Sequence, residues 1–576
     1  MTSLNFDVVI VGGGPAGSTV GGLLRKYSPS MRVGILEKER FPRDHVGESQ
    51  LPTIGYFLAE LGCWDKVEAA EFPIKIGATY VWGKSDKPWD FEFIPLRQIP
   101  SDAPRPGRFE GYRQRTAFQV DRAKYDKILL DHARELGCEV FEETMVRSVE
   151  HEGDRVTCLR LADGREVRAR HFVDATGHVG VLRRAMGVQR KVPTSLMNIA
   201  VWDYWNDAEW ATTIGQGGTR VQVLSLPNGW CWFIPISPTR TSVGFICPLE
   251  YYKQSGKTPA ELYDWAVSTQ PRVRALTANA TRENRLATTN DWSFVAERIY
   301  GENWFVVGEA AGFADPILAG GLTLAHESAR NCAYVILELD RGRHDRQWLL
   351  HHFDVLNRRR IEQFIRFADY WYAANGQFTD LQEFSAQIAK DAGMTLTPAQ
   401  AFRWLSLGGF HLFDGSRPGV GGLDLGAIKE VTSIFSDVGK ARWEINRFNV
   451  FKLDVRDAEV VRVPLLHEGE ITAGECYQRG EKLLPRFGVF GLVTEVLRQF
   501  SVGLEVGRAI EQTALRTRAF SVHDAIAVLE VMLLDGWVEG KLNKKKPAFH
   551  YDPAKDGSES NFHANVDRIP GVEPGY

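Results

Sequence analysis

Long apolar runs are absent from this 576-residue chain: its hydrophobic segments are short and broken by glycine or charge, and none reaches the roughly 18–20 residues that a bilayer span needs. Cysteine pairs are absent too. The seven cysteines, Cys63, Cys138, Cys158, Cys231, Cys247, Cys332 and Cys476, are scattered without C-x-x-C spacing. That argues against a metal or dithiol site and suits a reducing compartment, where such thiols are buried and inert. There is no charge excess. Lys and Arg number 69 against 73 Asp and Glu, a formal net charge of −4, which offers nucleic acid no basic footprint. The first seven residues carry neither a basic nor an apolar leader. The expectation is a cytoplasmic protein without signal peptide, membrane span, metal or nucleic-acid partner. At this length two or three domains are expected, because one hydrophobic core is not enough.

What is present begins at residue 6. Residues 6–11 form a β-branched run without alternation, the pattern of a strand buried on both faces. Gly12-x-Gly14-x-x-Gly17 follows and opens a helical stretch. A second strand, 32–37, ends in Glu37, 20 residues after Gly17. Such a loop lets backbone approach a pyrophosphate at a helix N-terminus, with the acidic residue accepting from ribose hydroxyls. A dinucleotide site is expected; the loop alone does not choose between FAD and NAD.

Further on, residues 121–136 read as a helix, 138–170 as short strands, and 171–177 as a buried strand ending in a turn. Residues 195–250 alternate in the manner of an antiparallel sheet. Residues 304–308 return to a buried strand, and 322–339 are helical. Beyond 345 the segments read as helical and amphipathic, with a Gly/Pro-rich loop at 405–425. Three helices and a short hairpin at 485–540 would resemble a winged helix, and the polar tail after Pro547 reads as disordered. The expected fold is α/β. A Rossmann-like dinucleotide-binding domain takes 1–190 and 290–345, an inserted antiparallel-sheet substrate domain 191–289, and a mainly helical C-terminal region 346–576. The winged-helix-like unit is expected to serve packing or substrate gating.

The run from Trp304 to Pro316 resembles the late flavin signature of glutathione-reductase-type flavoproteins, with Glu309 where that group has Asp. The run from Phe172 to Gly177 resembles its middle signature. Val120-Asp-Arg122 with Tyr125-Asp126 resembles its arginine segment beside the flavin. These resemblances select FAD. Three more segments resemble the flavin-dependent halogenases. The stretch from Glu39 to Ser49 is similar to the one following their second strand. Gly229-Trp-Cys-Trp-Phe-Ile-Pro235 matches their Trp-x-Trp-x-Ile-Pro motif at Trp230, Trp232, Ile234 and Pro235. Lys75 stands where their catalytic lysine stands relative to the glycine loop. The resemblance covers about residues 5–345 and, loosely, the rest.

The resemblance implies that FAD is held by Gly12, Gly14, Ala16, Gly17, Glu37 and Lys38, by Arg43 and Ser49, by Arg122, Val146, Asp174 and Gly177, and by Glu309, Pro316, Gly320 and Gly321. Chloride or bromide would sit on the backbone of Gly320 and Gly321. Phe313, Pro316 and Gly321 match the family's Phe-x-x-Pro-x-x-Ser-x-Gly, but Ala319 replaces the serine. Leu318 stands where halogenases of free tryptophan carry Glu, which favours a phenol or pyrrole that needs no carboxylate help. A separate flavin reductase would supply reduced FAD, and the small aromatic substrate would be free or carrier-linked. The period-two geometry of a strand puts Trp230 and Trp232 on one face, where the resemblance implies a wall between flavin and substrate. Lys75 alternates with Ile74 and Ile76 and so faces away from the apolar side. It is either solvated, or at the end of a tunnel where desolvation lowers its pKa and frees a nucleophilic amine. Two other readings stay open: a flavin monooxygenase or reductase of the same fold, and a non-catalytic flavoprotein whose C-terminal unit binds nucleic acid or a partner.

Overall fold

The computed structural model describes residues 3–391 except 291, the short strands Gly419–Val420 and Leu423–Asp424, residues 449–541 except 481 and 518–521, and Phe562–Ala564. The chain divides into two compact units, Met1–Gly393 with Asn561–Tyr576, and Met394–Ser560.

In the first unit, Ser3–Val11 pairs in parallel with Val33–Leu36 on one side and Glu166–Asp174 on the other. Glu139–Phe141 and Trp304–Val306 extend this parallel core, and the antiparallel strands Arg155–Leu161 and Val146–Glu152 complete seven strands. Val8, Val9 and Ile10 are fully buried, which is why their run does not alternate. The helix Pro15–Tyr27 starts with proline in its first turn, where the missing N–H costs nothing. It is tied to the 21-residue helix Gly321–Arg341 by Thr19 Oγ1 and His326 Nδ1, 2.9 Å apart.

The second sheet of this unit has ten strands. Asn198–Asn206, Arg240–Pro248, Gly229–Pro235 and Gly218–Leu226 run antiparallel in that order. Ile74–Val81 then joins Gly218–Leu226 in parallel, carrying Trp89–Glu92 and Ala117–Phe118 antiparallel on it. The sheet expected within 191–289 therefore draws on residues far ahead of it in sequence. One face is covered by the helices Pro259–Thr269 and Pro271–Leu276, with Val201, Leu224, Cys231, Phe233, Phe245 and Tyr263 in a common core. A capping box of Thr258 and Glu261 starts the first of these helices. Alternation sends Trp230, Trp232 and Ile234 to the opposite face. After Gly321–Arg341 comes the 28-residue helix Arg346–Ala373.

The second unit contains the helices Gly488–Gln499, Gly503–Thr517 and Val522–Leu534, the three read at 485–540. Of the hairpin expected after them, the described residues contain one strand, Val538–Lys541, which pairs with Val450–Leu453 far back in the chain. The unit also holds an antiparallel sheet that the helical reading did not include: Glu459–His467, Glu470–Arg479 and Lys482–Pro485. Pro464 inside the first strand masks its signature. Most of the 405–425 loop and of the tail after Pro547 lies outside the described residues. Phe562–Ala564, read as part of a disordered tail, instead forms a strand antiparallel to Trp89–Glu92. Among the described residues no helix is long and apolar enough to cross a membrane.

Candidate active site

The three motif glycines do different work. Gly12 lies at φ +105, and a Cβ there would fall 2.3 Å from the carbonyl oxygen of Ala175. A Cβ on Gly17 would fall 1.9 Å from the carbonyl oxygen of Gly12, so helix and strand meet backbone to backbone. Gly14 has room: a Cβ would meet only Arg43 Nη2, at 3.5 Å. Gly14 caps its helix without a side-chain bond, leaving the first N–H groups open to an anion. Ala16 packs under Gly308, whose Cβ would be 3.0 Å from its own. Glu37 is buried; its Oε2 accepts from Gly13 N–H at 2.7 Å and its Oε1 from Glu39 N–H at 2.9 Å, which fixes the carboxylate beside the loop. Lys38 is exposed, its Nζ 3.4 Å from Glu39. Val146 follows two residues after Thr144, whose N–H bonds the Glu37 carbonyl at 2.7 Å.

Unsatisfied polar atoms test whether these residues suit a flavin dinucleotide. Arg43 Nη1 is buried without a hydrogen bond, 3.5 Å from Asp126 Oδ2. Ser49 Oγ and both side-chain amide atoms of Gln119 are buried and unpartnered, on segments joined by a Ser49–Gln119 bridge. Buried polar groups are normally paired, so these are the atoms a polar ligand would complete, and the residues fit FAD. Gln119 was not among the expected site residues; two residues ahead of the arginine segment, it carries no local sign of its role. Arg122 spends its fork on Asp126, at 2.7 and 2.9 Å, and on the carbonyls of Val46 and Gly47, so it anchors the 46–47 turn. Asp174 is fully buried and taken up by its own turn, accepting from Thr176 and from Arg183 N–H. That turn carries Gly177, whose Cβ would lie 3.5 Å from Glu309 Oε2, so the middle and late signatures meet. Burial raises the Glu309 pKa.

Lys75 is not a solvated lysine: it is 3% exposed. Its Nζ donates to the Gln50 carbonyl oxygen at 2.9 Å and lies 5.5 Å from the Phe93 ring centre. Desolvation alone lowers its pKa to about 7. The register beside it slips. Lys75 faces Thr219, but Gly77 faces Arg220, leaving Ile76 as the extra residue of a bulge. Bulges re-aim side chains next to active sites, and the simple alternation assumed from sequence does not apply here. On the neighbouring strand Lys75 pairs with Ala117, and Ala117 shares its face with Gln119. Glu48, also missed from sequence, is buried and accepts from the Tyr204 hydroxyl at 3.1 Å, and burial raises its pKa.

Trp230 and Trp232 are both buried, with ring centres 6.2 Å apart and planes tilted by 55°. The Trp232 ring occupies the space of a missing side chain: a Cβ on Gly244 would lie 2.2 Å from its Cζ2. Trp232 Nε1 donates to Ser242 Oγ at 3.0 Å, and Trp230 Nε1 to the Tyr372 hydroxyl at 2.7 Å. Trp82 stands edge-on to Trp230 and to Tyr372.

The loop expected to receive the halide begins at Pro316 in a short 3-10 turn. Ala319 adopts φ +54, a left-handed conformation unusual for alanine. Gly320 caps the helix Gly321–Arg341. Both glycines are tightly backed: a Cβ on Gly320 would meet Phe364 at 2.3 Å and one on Gly321 would meet Phe313 at 2.7 Å. Thr323 Oγ1, in the first turn, is buried without a partner.

The chain is similar to known proteins. A family model described as an FAD binding domain matches residues 5–368. The chain is 31% identical over 394 residues, 66% of this chain and 86% of the relative, to a 1H-pyrrole-2-carbonyl-[peptidyl-carrier protein] chlorinase of Pseudomonas fluorescens. Among solved structures, the myxobacterial chondrochloren halogenase CndH is similar at 28% identity and TM-score 0.58, covering 68% of this chain and 90% of that one. The flavin-dependent halogenase CmlS shares the fold across 96% of this chain and 98% of its own, with TM-score 0.71 at 24% identity.

Proposed function

This chain belongs to the flavin-dependent halogenases, and on that premise we propose that it uses FAD, oxygen and chloride or bromide to halogenate an electron-rich phenol or pyrrole, free or held on a carrier protein. A separate flavin reductase reduces the FAD. The observation that carries the reading is the burial of Lys75 with no acidic partner on its Nζ among the described residues. An unpaired buried lysine is costly unless it titrates, and with a pKa of about 7 it offers a neutral amine.

Reduced FAD, when bound, supplies with oxygen the oxidising equivalents that turn halide into hypohalous acid. The chain's own residues do the rest. Gly12 to Gly17, Glu37 and Arg43 hold the dinucleotide, and the Gly320–Gly321 backbone receives the halide. Trp230 and Trp232 keep the substrate away from the flavin, so hypohalous acid rather than oxygen reaches it. Lys75 binds that acid through Nζ. Either it orients HOX by a hydrogen bond, or the amine attacks the halogen, forming N–X and releasing water. The aromatic carbon then takes X as an electrophile, the ring loses its proton, and the neutral amine returns. The Leu318 position supports an activated ring over free tryptophan. The carrier-linked option is supported by the similarity to a chlorinase whose substrate rides on a peptidyl carrier protein.

The test is incubation with a flavin reductase, oxygen, bromide, and a panel of phenols and pyrroles, read by product isotope pattern. Bromide-dependent brominated product is expected. Hydroxylated or reduced product at saturating halide would replace this reading with a monooxygenase or a reductase.

A further inference from the structure

Trp230 and Trp232 differ in what secures them. Trp232 spends its N–H inside its own sheet, on Ser242 of the adjacent strand. Trp230 spends its N–H outside that sheet, on Tyr372 near the end of the helix Arg346–Ala373. The Tyr372 hydroxyl in turn lies 3.3 and 3.4 Å from the Asp315 carboxylate oxygens. Asp315 is 2% exposed. Its other partners among the described residues are neutral donors: Ile317 N–H at 2.9 Å, Trp292 Nε1 at 3.3 Å and Asn198 Nδ2 at 3.3 Å. Burial without a cation pushes its pKa up to about 6. Asp315 immediately precedes Pro316, the first residue of the halide loop.

We propose that Asp315 and Tyr372 are a positioning pair that fixes the Trp230 indole as the flavin-facing wall and ties it to the halide loop. The wall function itself rests on the halogenase reading above; the pair's grip on the indole does not. Three elements distant in sequence meet at the Tyr372 hydroxyl: the strand Gly229–Pro235 through Trp230 Nε1, the loop before Pro316 through Asp315, and the helix Arg346–Ala373 that carries the tyrosine. Tyr372 also packs on Trp82 with ring centres 5.8 Å apart, and Trp82 Nε1 donates to the Trp371 carbonyl at 2.8 Å. The tyrosine is therefore held from behind as well as by its hydroxyl. Loss of that hydroxyl strands a buried indole N–H and removes one donor from a buried carboxylate, without changing the packing volume. The Trp230 ring is then free to re-aim, while Trp232, bonded to Ser242, stays.

The test uses the full chain labelled with fluorotryptophan, the Trp230 fluorine resonance being identified by its loss in Trp230→Phe. Tyr372→Phe and Asp315→Asn should each shift and broaden that resonance, and Ser242→Ala should leave it in place while moving the Trp232 signal. FAD retention and thermal melting confirm that each variant is folded. The functional readout is the yield of halogenated product per reduced FAD oxidised. It should fall about fivefold in Tyr372→Phe, the equivalent of one hydrogen bond, and Tyr372→Phe should add nothing further in a Trp230→Phe background. An unmoved Trp230 resonance overturns the pair, and so does a shift with unchanged yield or an additive double variant. A wild-type chain that forms no halogenated product defeats the halogenase reading instead, and the resonance still decides whether the pair grips the indole.

Discussion

Lys75 Nζ donates to the main-chain oxygen of Gln50 at 2.9 Å and meets no carboxylate among the described residues. That single neutral acceptor leaves the ammonium form undercompensated. The folded pKa of about 7 lies below the ordinary 10.5, so between these values the unfolded chain binds the extra proton and stability rises with pH. Below about 7 the full penalty is present. Lys75→Met should therefore be more stable than the parent at neutral pH, by up to about 5 kcal/mol, with the gap closing toward alkaline pH. Denaturant titration of the flavin-free chain across pH checks this. A lysine variant that loses stability at neutral pH contradicts the burial argument. On the same grounds, halogenation by the parent should rise with pH through about 7, as the amine becomes neutral.

The glycine loop separates folding from cofactor affinity. Gly17→Ala sets a Cβ against the Gly12 carbonyl at 1.9 Å, whereas Gly14→Ala meets only Arg43 at 3.5 Å. Gly17→Ala should lower the melting temperature of the flavin-free chain sharply. Gly14→Ala should melt like the parent yet bind FAD at least about tenfold more weakly, because its Cβ intrudes where the pyrophosphate approaches the helix N-terminus. Calorimetry and flavin-fluorescence titration distinguish the two.

Gly244 offers a test of the separating role proposed for Trp232. A Cβ there would sit 2.2 Å from Trp232 Cζ2. Gly244→Ala should retain FAD while the halogenated yield per flavin oxidised falls, with peroxide or hydroxylated product rising. Unchanged yield would remove Trp232 from the separating role.

The turn at residues 104–115 hangs on a buried ion pair. Arg113 Nη2 donates to Glu68 Oε2 at 2.6 Å, both residues being almost wholly buried, and Glu68 Oε1 accepts from Gly107 N–H at 2.9 Å. Arg113→Leu leaves the Glu68 charge with the Gly107 N–H and Arg105, the latter at 3.6 Å, and should cost about 3 kcal/mol in chemical unfolding. Glu68→Gln in that background should recover part of the loss, because the stranded charge disappears.

The sequence was informative wherever chemistry is local. The strand, glycine turn and helix from Phe6 to Tyr27 follow from β-branched burial and a loop that tolerates no side chain at Gly12 or Gly17. The Trp230–Trp232 spacing follows from the pleat. What depends on distant pairing was not legible. Nothing around Ile74 announces a parallel partnership with Gly218–Leu226, or the bulge at Ile76 that breaks the alternation assumed for Lys75. Tyr372 lies in an amphipathic helix that reads as packing, and only the fold brings its hydroxyl to Trp230. Asp315 looks like a helix-starting residue, which it also is. The strands of residues 459–485 carry little strand signature, because Pro464 interrupts the first of them and few of their residues are buried.

The most direct test of the central claim is a single turnover of Lys75→Ala, supplied with reduced FAD, oxygen, bromide and a phenol or pyrrole that the parent brominates. FAD binding and the rate of flavin reoxidation should match the parent while brominated product disappears. Brominated product at the parental yield from Lys75→Ala would contradict the account.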